Sequence, residues 1–391
     1  VMIKYFGWSA ALARVPSVLY LIVTTFVFYF YTKKVAGRAT AQWSTLLLVT
    51  LSAFINTGKP VLGEIPGFLF LVLGLLVLHH KKYIGAGILF GLSVMTKLTY
   101  GLIYPAIGVA ILIALLKKDW KEVMNTTLVG LIAGLTFLPW RLLESVHHAG
   151  FAGELSQYAI GWDNLPYLNM IVSKPEFLLR MPFLYFGVLL LLGGYGLYQK
   201  KRIFSLTEIS IIITLISLFM IYFLNGYGWY RHLLPAHLLL LPFVPVGAYA
   251  FVQDIKLQLP KSIRNHYVSA LLGFFVLAQF LYQFDHRGAS RLTVIDTSVE
   301  ILERDYKSTK LIVQEPAIFV ALHYNPNWKF LTPELQMRTY KEFEHLPLTQ
   351  EQHCLPIVKR TPDNREELYD TNRLTKLDGS YYLIMPPKSC R

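Results

Sequence analysis

Residues 63–121 read GEIPGFLFLVLGLLVLHHKKYIGAGILFGLSVMTKLTYGLIYPAIGVAILIALLKKDWK. Three apolar segments follow one another here, at 61–78, 83–96 and 99–116. Lysines close the first and the third, and only Lys97 and its neighbour separate the second from the third. Apolar segments bounded by lysine-containing short loops are typical of membrane-spanning helices. The stretch therefore predicts a polytopic membrane protein.

The same pattern extends over most of the chain and predicts about ten spans. We place them at 14–32, 41–56, 61–78, 83–96, 99–116, 124–140, 179–198, 204–224, 233–251 and 267–284. Basic clusters close every second one: Lys33, Lys34, Arg38; Lys81, Lys82; Lys117, Lys118, Lys121; Lys200, Lys201, Arg202; Lys256, Lys261, Arg264. Positive charge in short loops marks the cytoplasmic face, so the other loops are predicted to be extracytoplasmic.

Composition agrees with this assignment. Of the 391 residues, 54% are hydrophobic, which leaves too few polar residues to cover a soluble globule of this size. The net charge of +13 could suggest a nucleic-acid partner, but the five basic clusters hold fourteen of the lysines and arginines. The charge thus reflects membrane topology, and we expect no nucleic-acid binding.

The predicted fold class is mainly α, a transmembrane helix bundle with a small extracytoplasmic α/β domain. The membrane domain covers residues 1–284 and includes a long extracytoplasmic loop at 141–178, and residues 285–391 form the soluble domain. Within that domain we predict strands at 310–314, 319–324 and 381–385 and helices at 297–305 and 333–343. Ten crossings from an outside start return the chain to the outside.

The chain has two cysteines, Cys354 and Cys390, both in the soluble domain. An extracytoplasmic location would permit a disulfide between them. Two free thiols are equally consistent with the sequence, because it does not give the separation of the two Cα atoms.

Two charged residues stand at the ends of apolar segments that are predicted to face outward. Glu64 precedes a long apolar run, where the helix dipole could favour it, or where it could serve as a base or a metal ligand facing an outer cavity. Lys97 is either a lysine that snorkels to water or a fixed cation for an anionic headgroup.

Further basic residues lie at the predicted outer face and so depart from the rule that positive charge marks the cytoplasmic face. Arg231 and His232 follow two glycines and several aromatics in NGYGWYRHLLPAH, and Arg14 occurs in AALARVPS. An arginine at the membrane interface usually has an anionic partner, which makes these residues candidates for substrate binding.

The long loop combines aromatic faces with polar groups. Arg141 follows a tryptophan, and Trp162 precedes Asp163. Aromatic rings that stack on sugar CH faces, with carboxylates that bind hydroxyls, would suit sugar recognition. Interfacial anchoring explains the tryptophans equally well.

In order and spacing, residues 1–284 resemble the polytopic glycosyltransferases of the GT-C superfold, in particular protein-mannosyltransferase-like and aminoarabinose-transferase-like (family 39 type) proteins. The segments that carry the resemblance are FGWSAALARVPSVLY (6–20), GEIPGFLFLVLGLLVL (63–78), AGILFGLSVMTKLTY (86–100) and WYRHLLPA (229–236).

The resemblance implies a membrane glycosyltransferase. It would move a sugar from a polyprenyl-phosphate-linked donor to a glycan, lipid or protein acceptor on the extracytoplasmic face, among membrane lipids. Glu64 matches an acidic position of the family, Lys97 the lysine of its Gly-Leu-x-x-x-Thr-Lys stretch and Arg231 a basic position. A divalent metal is compatible with this chemistry, with Glu64 as one ligand. The family also carries an acidic motif in its first outer loop, upstream of the region where Val1 falls, so we expect a further N-terminal piece.

Two other functions compete with this one. A transporter or flippase of a lipid-linked saccharide would need charges near the bilayer midplane and two related halves. The predicted spans are nearly free of mid-span charge, and the sequence shows no repeat. A non-catalytic membrane subunit stays open because the acidic motif is not part of this sequence.

Overall fold

A computed structural model describes most of the chain. It covers residues 10–58, 63–147, 181–225, 230–254, 261–285, 291–306, 311–313, 318, 322, 354–360, 374–377 and 381–385. The chain divides into two compact units: the first is Pro16–Asp285, and the second combines His286–Arg391 with Val1–Val15.

In the described residues, the first unit is a bundle of helices, and its first helix begins before Pro16. Its helices are α1 (Ala10–Ala36), α2 (Arg38–Thr50), α3 (Ser52–Gly58), α4 (Glu64–His79), α5 (Tyr83–Thr96), α6 (Ile103–Leu116), α7 (Trp120–His147), α8 (Met181–Lys200), α9 (Leu206–Asn225), α10 (Tyr230–Leu240), α11 (Val244–Asp254) and α12 (Lys261–Asp285). Short 3₁₀ turns at Leu98–Leu102, Lys201–Ile203 and Leu241–Phe243 join some of them.

The predicted spans fall on these helices. Wherever the structure describes a predicted span, the residues are helical, apart from breaks of one or two residues. Among the described residues, six helical stretches are individually long and apolar enough to cross a membrane: Val15–Ala36, Leu98–Leu116, Trp120–Leu142, Leu206–Leu224, His232–Asp254 and His266–Gln283. Helices α4 and α5 are apolar but shorter. The bundle is confirmed, and the count of ten spans stays a prediction.

Helix α7 differs from expectation at its C-terminal end. We predicted a loop from residue 141, whereas the helix continues to His147. Arg141 and the two leucines after it are good helix formers, and they extend the helix beyond Pro139. The remainder of the predicted loop, 148–178, lies outside the described residues.

Helices α4 and α5 form an antiparallel hairpin, and glycines bring α5 close to α7. A Cβ atom on Gly91 would lie 2.7 Å from the carbonyl oxygen of Ala133, so only glycine permits this approach. The hairpin also places Glu64, the first residue of α4, at the same end as Thr96, the last residue of α5.

The second unit contains helix α13 (Arg291–Tyr306) and a four-stranded sheet. Its strands are β1 (Ile312–Val313), β2 (Ile357–Arg360), β3 (Leu374–Lys376) and β4 (Tyr381–Ile384), in the order β1-β2-β4-β3. Strands β1 and β2 are parallel, and the other two pairings are antiparallel. Ile295, Val299 and Leu302 of α13 are buried with sheet residues in one core. The small α/β domain is confirmed.

One predicted strand in this unit is wrong. Residues 319–324 were expected to be extended, but Leu322, the one described residue among them, is helical, as is Ile318. Both side chains are fully buried. The predicted helix at 333–343 lies outside the described residues. Cys354 is disulfide-bonded, which supports the first of the two alternatives, and Cys390 lies outside the described residues.

Candidate functional site

Lys97 interrupts the helical path between α5 and the following 3₁₀ turn. Its backbone is extended, with φ of −161° and ψ of 126°. Its ammonium group donates a hydrogen bond to Oε1 of Glu64, and the two side chains form an ion pair. Lys97 thus binds a buried carboxylate.

Two glycines allow this pairing: Gly63 immediately precedes α4, and Gly67 lies in its first turn. A Cβ atom on Gly63 would overlap the carbonyl oxygen of Thr96, and one on Gly67 would overlap the ring of Tyr100. Ser93 donates a hydrogen bond of 2.7 Å to the carbonyl oxygen of Gly67. The start of α4 therefore packs directly against the backbone break at Lys97.

Glu64 is almost completely enclosed, with 3% of its surface exposed. Lys97 satisfies Oε1, but Oε2 is buried and has no hydrogen-bond partner among the residues that the structure describes. The hydroxyl of Tyr100 donates a hydrogen bond of 2.6 Å to the backbone carbonyl oxygen of Glu64. A buried carboxylate oxygen without a partner is costly, so a group that donates to Oε2 would be stabilising.

The ion pair lies in the wall of a small cavity, which we call the Glu64 cavity. Its lining residues are Glu64, Lys97, Thr99, Tyr100, Phe219, Tyr222, His232 and Pro235. Rings pair on two sides: Tyr100 meets Phe219 edge-on at 5.7 Å, and Tyr222 is tilted against His232 at 4.9 Å. The cavity thus joins one acid and one amine to a mainly aromatic surface.

The structure brings three of the predicted site residues together, namely Glu64, Lys97 and His232. Arg231 precedes His232 in α10, and Arg14 lies in α1, but their side chains are outside the description. Arg141, in α7, is partly buried and is not among the residues that line the Glu64 cavity. Trp162 and Asp163 lie outside the described residues.

Sequence reasoning missed the aromatic part of the cavity. Tyr100 follows Lys97 by a single turn, and Phe219 and Tyr222 are three residues apart in α9, on one helical face. Each spacing predicts that the two residues lie on the same side of their helix. Aromatic residues are so frequent in this chain that spacing alone does not identify these three as cavity residues.

Comparison with known proteins identifies a family and two solved structures that the chain resembles. Residues 1–142 match the protein family described as dolichyl-phosphate-mannose-protein mannosyltransferase. Two crystal structures of ArnT from Cupriavidus metallidurans, one bound to undecaprenyl phosphate and one in the apo state, are similar to the chain in structure. Each has 13% sequence identity and a TM-score of 0.54, and the match covers 99% of this chain and 86% of ArnT. The chain has the GT-C fold.

The resemblance to protein-mannosyltransferase-like and aminoarabinose-transferase-like GT-C proteins is therefore confirmed, and the chain is an integral, multi-pass membrane protein. No curated protein matches the sequence. The family match includes Glu64 and Lys97, whereas His232 lies beyond it. An identity of 13% establishes the fold only.

The described lining of the Glu64 cavity offers few ligands for a metal. Its described lining contains one carboxylate and one imidazole, from Glu64 and His232. Within the described ranges, no group of three or more His, Cys, Asp or Glu side chains could hold a metal ion.

Proposed function

We propose that the protein is a membrane glycosyltransferase that moves a sugar from a polyprenyl-phosphate-linked donor to an acceptor on the extracytoplasmic face. The observation that carries the proposal is the Glu64–Lys97 pair, whose carboxylate keeps one buried oxygen without a partner beside an aromatic-lined cavity. The fold and the family match of residues 1–142 support the same class of reaction.

We infer the orientation of the protein in the membrane from the charges at the two ends of the α4–α5 hairpin. Glu64 and Lys97 lie at one end, and Lys81 and Lys82 form the turn at the other. Because basic turns are retained in the cytoplasm, the Glu64 cavity belongs on the extracytoplasmic side. If the chain crosses the membrane ten times as the sequence predicts, the soluble domain lies on the extracytoplasmic side too.

In this reaction Lys97 stabilises the negative charge of the leaving group. The bond between the anomeric carbon of the sugar and the phosphate oxygen breaks, and both electrons stay with the phosphate. The lipid phosphate leaves as an anion, so it needs fixed positive charge and no proton. An ammonium group has three N–H donors, so Lys97 can contact a phosphate oxygen while it remains bonded to Glu64.

Glu64 acts as the general base that deprotonates the acceptor. The acceptor's hydroxyl or amine forms the new bond to the anomeric carbon and loses one proton, which Oε2 of Glu64 takes up. Such a base contributes about 10²- to 10⁴-fold to the rate when it lies within hydrogen-bond reach of the proton. The aromatic residues Tyr222 and Phe219 would supply flat apolar faces for the sugar ring.

Arg231 would supply a second cation for the phosphate, and Arg14, Arg141, Trp162 and Asp163 stay candidates for binding the donor or the acceptor. His232 lies against the ring of Tyr222 in the cavity wall, where an imidazole can bind a sugar hydroxyl.

The test is Glu64→Gln in the full-length protein, reconstituted in liposomes with a polyprenyl-phosphate-linked sugar and an acceptor that carries a hydroxyl or amine, and scored by loss of that donor. We expect transfer to fall at least about hundredfold, as removal of a general base requires. Glu122→Gln is the matched control, because Glu122 is another acid of the bundle that accepts a hydrogen bond, from Thr207. Transfer by Glu64→Gln within threefold of wild type would refute the role of Glu64 as base.

A further inference from the structure

We propose that Tyr100 is a positioning residue that holds Glu64 in its reactive orientation through the backbone. This inference rests on the proposed function, because it concerns the same carboxylate. Tyr100 itself is not assigned a chemical step.

The contact is short and enclosed. The hydroxyl of Tyr100 donates to the carbonyl oxygen of Glu64 at 2.6 Å, and only 2% of the Tyr100 surface is exposed. Its ring occupies the space over Gly67 where a larger residue would have its Cβ atom, and it meets Phe219 edge-on. The ring therefore cannot move without moving α4 or α9.

Lys97 and Tyr100 lie three residues apart in one turn of the backbone, and both form a hydrogen bond to Glu64. The backbone N–H of Tyr100 donates to the carbonyl oxygen of Lys97 at 3.0 Å, which fixes the distance between the two residues. Lys97 then bonds the side chain of Glu64, and Tyr100 bonds its backbone. Glu64 is held at two points by one rigid segment.

The start of α4 has no side-chain cap. Gly63 precedes Glu64 and provides no side-chain hydrogen bond to the first turn. A helix terminus without a cap is prone to fray. The bond from Tyr100 anchors the backbone at this terminus.

The experiment compares Tyr100→Phe with Tyr104→Phe in the purified full-length protein. Both variants remove one hydroxyl that donates to a backbone carbonyl, and the control bond, from Tyr104 to Ala133, is 3.3 Å long and does not involve Glu64. We expect Tyr100→Phe to lower kcat about tenfold or more, since small displacements of a reacting group are costly. The KM for the donor should stay within twofold, because Lys97 is retained. Tyr104→Phe should leave both within twofold. Equal kinetics for the two variants would overturn the proposal, as would parallel loss of kcat, donor binding and thermal stability in Tyr100→Phe.

A spectroscopic measurement tests the inference without transfer. The infrared difference between wild type and Glu64→Gln isolates the carboxylate bands of Glu64, and the same difference is recorded in the Tyr100→Phe background. Altered bands in that background support positioning, and superimposable bands overturn it. If wild type transfers no sugar yet the bands change, the proposed function fails while the positioning role stands.

Discussion

Nδ1 of His79 lies 2.9 Å from Oε1 of Glu208, and this bond joins the end of α4 to the start of α9. The other oxygen of Glu208 accepts the backbone N–H of Ser205 at 3.0 Å, and Ser205 Oγ accepts the N–H of Glu208 at 3.2 Å. Ser205 and Glu208 therefore form a reciprocal capping box at the start of α9. The same two helices contribute Glu64 and Tyr222 to the Glu64 cavity at their opposite ends.

Glu208→Ala removes both the bond to His79 and the bond that the Glu208 carboxylate accepts from the backbone N–H of Ser205, whereas Ser205 Oγ can still accept the backbone N–H of residue 208. We expect a loss of about 2–3 kcal/mol in unfolding free energy, because both lost hydrogen bonds involve a charged group. Ser205→Ala, which weakens only the capping box, should cost about 1 kcal/mol. Thermal denaturation in detergent measures both. Equal destabilisation by the two variants would show that the His79 bond contributes nothing.

Lys97→Met should destabilise the bundle more than its size change suggests. It leaves the Glu64 carboxylate buried without a counter-charge, and breaking a buried pair on one side costs about 3–5 kcal/mol. The double variant Glu64→Gln/Lys97→Met removes both charges and should recover most of that loss while transfer stays absent. Melting temperatures and transfer rates of the two variants separate the roles. A double variant no more stable than Lys97→Met would contradict the ion pair.

The sequence predicted the bundle because its apolar segments are long and their basic ends alternate. The α4–α5 hairpin was predicted too, from the two segments and the Lys81–Lys82 turn between them. That topology already puts both Glu64 and Lys97 at one end, but it cannot say whether their side chains meet. The pairing depends on Gly63 and on the extended backbone at Lys97, which are visible only in three dimensions.

The soluble unit was predicted less completely. Strands β2 and β3 were not predicted, since β2 ends in Lys and Arg and β3 has only three residues. Residues around Leu322 were assigned to a strand because an apolar run of that length suits either a strand or a buried helix. The aromatic residues of the cavity required the packing of α9 against α4 and α10, which sequence patterns do not give.

Gly67→Ala tests the close approach beneath Tyr100. The added methyl group would overlap the Tyr100 ring, and overpacking of this kind costs about 1–3 kcal/mol. We expect a lower melting temperature and reduced transfer. Gly108→Ala is the matched control, because a Cβ atom there meets nothing within 4 Å and alanine favours the helix by about 0.5–1 kcal/mol. Gly67→Ala that melts at or above wild type would contradict the packing.

The sidedness of the soluble unit is tested by thiol labelling of intact cells. Cys354 is disulfide-bonded, so a membrane-impermeant thiol reagent should label it only after treatment with an impermeant reductant. A variant with both native cysteines changed to serine and Arg202→Cys in the basic turn after α8 should stay unlabelled until the cells are permeabilised. The reverse pattern would put the Glu64 cavity on the cytoplasmic side and remove the basis for an extracytoplasmic reaction.

Lys97 and Arg231 are predicted to share the phosphate of the carrier lipid. Lys97 lines the Glu64 cavity, and Arg231 is adjacent in sequence to His232, which also lines it. A hydrogen bond to a charged group contributes about 1.5–3 kcal/mol, so either alanine substitution should weaken binding of undecaprenyl phosphate about ten- to hundredfold. Arg231→Lys should recover only part of the affinity, because an ammonium group does not reproduce the two-pronged geometry of a guanidinium. Lys117→Ala, in the basic turn after α6, should bind as wild type does. Equal affinities of Lys97→Ala, Arg231→Ala and Lys117→Ala, measured on the purified protein, would refute a shared phosphate site.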